Sequence, residues 1–594
     1  MLISSFSHKL RRRQTLLQAA RCFSGFDKAG LFGLDVKTPE DWNSLALQTQ
    51  QRCQELVQGI DRLDRSAAVI HQLDEISDTV CQTYDSAFLC SSAHSSSVWR
   101  QAAQDAMQGL AGYIQDLNMD PNLCGCLAAA LKHSADDALR QKVYMAGMQS
   151  PQANIANLCD LVQTRHELAL IMRQPSFAQL QLKDFTLATT PEAVHGFLDN
   201  LSAALVPQVN EEMHELYQHA YLHQRRPTSE YQMQPWDLEY YTNIARIARQ
   251  DCESSSASGL MTFPLATMIQ GLASLTRDLF HVDMREEEFN SGEAWAEGCR
   301  KFRCCHKGEL LGIMYLDLFR RPAKFGGAAH FTLRCARQLV DGSRQTPIVA
   351  LVCNLGHSEG SGDMQLPLAH HEVETLFHEF GHALSSLLSR TTFQHLSGTR
   401  GSFDIVEVAS HVMQLFARDP RVLARICQPS GSRISSEDFA PMLKNSARFA
   451  ALGIKEQVVE SKVHQLLSGQ SPPTSRDAMS SAICEIYSGH GLTALPAGCL
   501  PPLRSNHLVS YGSQYYAYLY AKCLAASIWE RYFAQDPFDP DAGDIVRREL
   551  FEVGSARFPT EFVTKLLGEG SLESLHGGRA PKIDVFLTKL DDFY

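Results

Sequence analysis

The strongest constraint on this chain is the run Phe377-His378-Glu379-Phe380-Gly381-His382. Around it, apolar residues fall at Val373, Leu376, Phe377, Phe380, Ala383, Leu384, Leu387 and Leu388. That is the 3,4 spacing of one buried helix face, and no proline interrupts it after Pro367. A helix here stacks the two imidazoles one turn apart on the same side. Imidazoles so placed can grip one zinc ion, and Glu379 can take a proton from a water that such an ion holds. Gly381 is a cost inside a helix, but it lets another backbone or a ligand come close. The short motif also occurs by chance in unrelated proteins. Two histidines hold a catalytic ion poorly, so a third ligand is required.

Glu407 is the candidate. It sits in the first turns of a second helical stretch that opens at Ser402-Phe403-Asp404 and runs through Val412, Met413, Leu415 and Phe416 to Pro420. A carboxylate among apolar neighbours needs a helix N-terminus or a positive partner. The alternative is an ordinary solvated helix residue. The set His378, His382 and Glu407 would leave one zinc position open, as catalysis requires.

The block His371 to His382, with Glu407 at this distance, resembles the thimet-oligopeptidase class of zinc peptidases, and within it the intermediate-peptidase branch. Gly312 to Leu318, followed by Arg320, Arg321 and Lys324, is similar to the family's strand region before the active site. Pro347 to Asn354 is similar to its substrate-flanking edge strand. Gln394 to Arg400 fits the branch's loop between the two ligand helices, and His507 to Leu519 and the tail from Gln535 to Glu549 continue the match. The likeness covers about Pro235 to the C-terminus and is weak before it. There a stretch of helices between about Tyr144 and Leu201 is missing relative to the family.

The resemblance implies a mainly α-helical fold, two helical halves around a deep substrate channel, with a small β-sheet near the zinc-binding helices. It implies one Zn2+ per chain on His378, His382 and Glu407, with Glu379 as general base. It also implies that His507, Tyr511 and Tyr518 donate to the charged oxygen of the tetrahedral intermediate. Tyr516, in the same cluster, reads as a core aromatic. Ser510 stands before Tyr511 where relatives are expected to carry glycine. Glu374, one turn before His378, either accepts that ligand's other ring N–H or is a plain surface glutamate. The implied activity is endoproteolytic removal of an octapeptide from imported mitochondrial precursors after a first processing cut, by a monomer in the mitochondrial matrix. A general oligopeptide-degrading enzyme of the same family is the alternative. A catalytically silent binding protein is a third reading, against which the intact ligand set and base argue.

A rival motif, Gly356-His357-Ser358-Glu359-Gly360, matches the serine-hydrolase elbow G-x-S-x-G after an apolar run. That elbow needs a helix immediately afterward, whereas Ser361-Gly362-Asp363 and Pro367 are loop chemistry. Composition agrees with the peptidase reading. The 594 residues allow two to four domains, and a net charge of −12 argues against a nucleic-acid partner. No apolar run is long enough to span a membrane. The 17 cysteines are scattered, and pairs such as Cys124/Cys126 and Cys304/Cys305 lack zinc-site spacing, so all read as thiols.

Residues 1–26 carry Lys9, Arg11, Arg12, Arg13 and Arg21 and no acidic residue before Asp27. Such a segment reads as a mitochondrial presequence, with cleavage after Phe23. Residues 27–230 then read as a helical region, with helical spacing over Leu56–Leu73 and Trp99–Leu117 and a joint at Gln224 to Ser229. Residues 231–594 read as the catalytic region, with a surface loop at Ser254 to Gly259.

Overall fold

The computed structural model describes residues 30–590, except 61–66, 111–130, 136, 149–151, 184, 225–230, 254–261, 322–323, 356–363, 428–434 and 491–492. The basic N-terminal segment, the Cys124/Cys126 pair, the Ser254 loop, the G-x-S-x-G motif and nearly all of the joint after Gln224 lie outside the described residues. Helices dominate the rest, as the sequence implied. The chain divides into two compact units, one from 1–115 with 283–364 and one from 116–282 with 365–594. No described helix is long and apolar enough to cross a membrane, and no disulfide joins the described cysteines.

The first unit holds helices α1 (Asp41–Ile60), α2 (Ala67–Ala93) and α3 (Ser97–Leu110). Of the spacings read over Leu56–Leu73 and Trp99–Leu117, the described residues are helical, and residues 61–66 and 111–117 lie outside the described residues. Five strands form its sheet: β1 (Val282–Glu287), β2 (Arg300–His306), β3 (Glu309–Phe319), β4 (Ala329–Arg334) and β5 (Ile348–Leu355). Their order is β1-β2-β3-β5-β4. β5 runs parallel to β3 and antiparallel to β4.

The sequence placed β5 at a sheet edge, and this is corrected: it lies inside the sheet, and β4 is the edge. The reason is legible in burial. Every residue of β5 except Asn354 is buried, as a strand covered on both faces requires, whereas β4 alternates. Phe32, Trp42, Trp295 and Tyr315 join the core of this unit. Buried Asp317 on β3 accepts from Trp295 Nε1 at 2.8 Å and pairs with Arg321 and Lys324. The basic residues after the strand therefore neutralise a carboxylate that burial alone would leave costly.

The second unit is helical. Its members include α4 (Asp137–Met148), α5 (Gln152–Ile171), α6 (Pro191–Ala204), α7 (Val206–Gln224), α8 (Pro235–Glu253) and α9 (Leu265–Phe280). α10 (His370–Leu388), α11 (Phe403–Val406), α12 (Val408–Phe416), α13 (Ala450–Leu467), α14 (Asn506–Ser510) and α15 (Ala517–Tyr532) carry the residues of interest. α10 begins directly after Pro367–Leu368, which pair antiparallel with Phe263–Pro264. Its first turn is closed by Glu372, whose side chain accepts from the Ala369 N–H at 2.8 Å. All eight apolar positions that marked it as a helix are buried.

Candidate metal centre

Helix α10 brings His378 and His382 to one face, their ring centroids 5.1 Å apart. Gly381 lies between them, and its missing side chain is what admits the second helix. A Cβ there would stand 2.6 Å from Ser410 Cα and 2.8 Å from the Ala409 carbonyl oxygen. α12 therefore packs backbone-close on α10. The sequence placed Glu407 in the first turns of one helix. It is instead the joint residue between α11 and α12, φ −84° and ψ −5°. That joint is anchored by buried Asp404, which accepts from the Leu187 and Ala188 N–H groups at 2.6 and 3.3 Å.

This packing aims Glu407 at the two rings. Its Oε2 lies 3.4 Å from His378 Nε2 and 3.1 Å from His382 Nε2. Among the described residues these three form the one His/Cys/Asp/Glu group whose donor atoms converge on a common point. A tetrahedral ion with bonds of about 2.0–2.2 Å puts its ligands roughly 3.3 Å apart. Two nitrogens and a carboxylate oxygen at these separations fit such an ion.

Electrostatics agree at the carboxylate, whereas His382 must give up a ring proton to ligate a metal. Burial pushes the Glu407 carboxyl up, but His382 and then His378 outweigh it and hold Glu407 well below the usual carboxylate range. Burial likewise lowers the His382 imidazole, and the Glu407 charge overrides it, leaving His382 raised. A buried carboxylate held ionised is the state a metal ligand needs.

Glu379, the expected base, is buried and lines a cavity of about 480 Å³ with His378, His507 and Tyr518. The tyrosine cluster closes on the same centre. His507 Nε2 and the Tyr511 hydroxyl each lie 3.2 Å from the Tyr518 hydroxyl, and Tyr511 donates to Glu407 Oε1 at 3.4 Å. Burial, then the Glu407 charge, pushes the Tyr511 phenol up to about 12, so it stays a donor. Tyr516 is fully buried, as its core reading required. Ser510 ends α14. The left-handed turn behind Tyr511 belongs to Gly512 at φ +61°, where a Cβ would meet Gln181 Oε1 at 2.5 Å.

The sequence profile of peptidase family M3 matches residues 130–574. The chain belongs to peptidase family M3. Mitochondrial intermediate peptidase of Arabidopsis thaliana is 34% identical over 481 residues, 80% of this chain and 66% of that protein. Human mitochondrial intermediate peptidase is 32% identical over 462 residues, 77% of this chain and 62% of that protein. The chain thus spans slightly under two thirds of the length of these curated relatives. A solved structure of PZ peptidase A with an inhibitor aligns at a TM-score of 0.52 and 12% identity, covering 88% of this chain and 92% of that one, a likeness of fold.

Two features of this M3 site differ from the sequence reading. Glu374 is neither a surface glutamate nor a partner of His378. It is buried, accepts from Arg418 at 2.9 and 3.1 Å, and contacts His370 Nδ1 at 3.0 Å. The other ring nitrogen of His378 faces Gln414 Oε1 at 3.4 Å. Gln414 and His411 were missed, although Glu407, His411 and Gln414 are spaced i, i+4, i+7, the signal of one helix face. Lys522 was missed too. It follows Tyr518 by four on α15, lines the cavity, and is lowered to about 7 by burial and then by Arg418.

Proposed function

We propose that this M3 chain is a zinc endopeptidase that removes a short N-terminal peptide, an octapeptide, from imported mitochondrial precursors after the first processing cut. The observation that carries the hydrolytic reading is the convergence of His378 Nε2, His382 Nε2 and Glu407 Oε2, with buried Glu379 on the same helix. The mitochondrial setting is supported by the likeness to proteins named mitochondrial intermediate peptidase, and the precursor specificity and matrix address are part of the proposal. All three ligands, the base and the donors come from one chain, which supports a monomeric working unit. Each falls within 231–594, which supports that span as the catalytic region.

His378, His382 and Glu407 would hold the ion. Zinc bound there supplies Lewis-acid polarisation and a water more acidic than bulk water. Glu379 takes a proton from the attacking water and hands it to the leaving amine, which converts a poor leaving group into a neutral one. Tyr511, Tyr518 and His507 are placed to donate to the oxygen that gains negative charge. In the substrate-free arrangement the Tyr511 proton points at Glu407. Rotation of one O–H bond re-aims it.

The test is incubation of zinc-loaded protein with a precursor-derived peptide and with an unrelated short peptide, each with and without chelator. The reading requires cleavage of the precursor peptide at one position, its loss with chelator, and little cleavage of the other. Equal cleavage of both would make the chain a general oligopeptidase. Cleavage of neither would make it a silent relative.

A further inference from the structure

A ring nitrogen opposite a metal-binding nitrogen must carry the proton, and whatever accepts that proton fixes the ring. In His378, Nε2 is the atom turned to Glu407, so with an ion bound between them Nδ1 is the nitrogen that carries the proton. Its acceptor is Gln414 Oε1 at 3.4 Å. The same oxygen lies 3.0 Å from Nδ1 of His411. An amide oxygen has two lone pairs and accepts from both rings. Were the amide reversed, its NH2 would face both rings. His378 would then have to move its proton to Nε2, which would cost the ligand its lone pair.

His411 decides between the two orientations. Its side chain is buried, with 5% exposure, and its ring packs 5.0 Å from that of His378. Its Nε2 is buried without a hydrogen-bond partner among the described residues. The bond to Gln414 is thus the hydrogen bond this ring makes among the described residues, and a proton placed on Nε2 would be buried there without a side-chain or backbone acceptor. His411 therefore keeps its proton on Nδ1 and pulls the amide oxygen toward the rings.

We propose that Gln414 and His411 are positioning residues for the metal: His411 pins the Gln414 amide, and the amide holds His378 in the tautomer that binds the ion. The inference rests on the metal-centre reading above and adds to it a partner for His378 and a lock on that partner.

The experiment measures zinc dissociation constants by chelator competition, together with the visible spectrum of the cobalt(II)-substituted protein. It compares the wild-type chain with Gln414→Met, Gln414→Glu and His411→Phe. Gln414→Met keeps the shape and loses the acceptor. It should weaken zinc binding by about 10–100-fold, the usual cost of losing such a partner, and shift the cobalt bands. Gln414→Glu keeps an acceptor for both rings and should bind at least as tightly as wild type. His411→Phe should fall between. The melting temperatures of the metal-free proteins check that each variant folds. Zinc affinities and cobalt spectra that match wild type in both Gln414→Met and His411→Phe would overturn the inference while leaving the metal centre standing. A folded wild-type protein that takes up no zinc would overturn the centre itself, and this inference with it.

Discussion

The Tyr511 hydroxyl donates to Glu407 Oε1 at 3.4 Å, while the other oxygen of that carboxylate faces both histidines. The phenol thus engages one oxygen of Glu407 and leaves the other turned to the two histidine rings. It also keeps a proton within one bond rotation of the site where charge would develop. Tyr511→Phe should reduce kcat by about 10²–10³ with little change in KM, the signature of a donor used in the transition state. A variant that loses affinity for substrate and keeps kcat would assign Tyr511 to ground-state binding.

Glu379 is buried beside His378 without being one of the three converging ligands. Glu379→Gln should lower cleavage by about 10²–10⁴ and leave the zinc content at one per chain. Metal analysis and a peptide assay on the same preparation settle it. Near-native turnover would remove Glu379 from the chemistry.

The contact at Gly381 has no slack, because the obstructing atoms are the backbone of Ala409 and Ser410. Gly381→Ala should therefore push α12 off α10 and destabilise the chain by about 1–3 kcal/mol, the usual cost of overpacking. It should also weaken zinc binding, since the joint bearing Glu407 moves with α12. Denaturant unfolding and chelator competition report the two effects separately. An unchanged zinc affinity would show that the helices do not set the ligand spacing.

Glu374 gives a pH test. Burial pushes its carboxyl up, but the His370 hydrogen bond and the Arg418 charge prevail, so it is lowered from its ordinary 4.5. Its stabilising contribution is complete above that ordinary value and is lost as pH falls through the lowered folded one. Glu374→Gln should cost about 3 kcal/mol near neutral pH, as expected for a broken buried ion pair. The gap to wild type should narrow as the pH falls below 4.5. Urea titrations from pH 7 downward measure it, and a gap that stays constant on acidification would contradict the assignment.

What the sequence revealed and what it hid divide along physical lines. His378, His382 and Glu379 declare themselves by local spacing, because a helix converts a fixed separation in sequence into a fixed separation in space. Glu407 needed the family likeness, since nothing local says that a joint 25 residues after His382 returns to the same point. The cause of that return is Gly381, and its partner backbone, Ala409 and Ser410, is invisible in a one-dimensional pattern. Glu374 was misread because its cation, Arg418, lies 44 positions away. β5 was misread because likeness to a strand does not give its place in a sheet. Its unbroken apolar run carried the correct answer, since an edge strand with one wet face alternates.

The interior position of β5 limits how an extended polypeptide can be recognised by the first unit. Both sides of that strand are already occupied by β3 and β4, so its amides have no vacancy for a visitor. A guest chain that adds itself to this sheet must do so along Ala329–Arg334 or, at the opposite margin, along Val282–Glu287. Proline or N-methyl replacements in those two segments, rather than in Ile348–Leu355, are the ones that would sever such a pairing without dismantling the domain's centre.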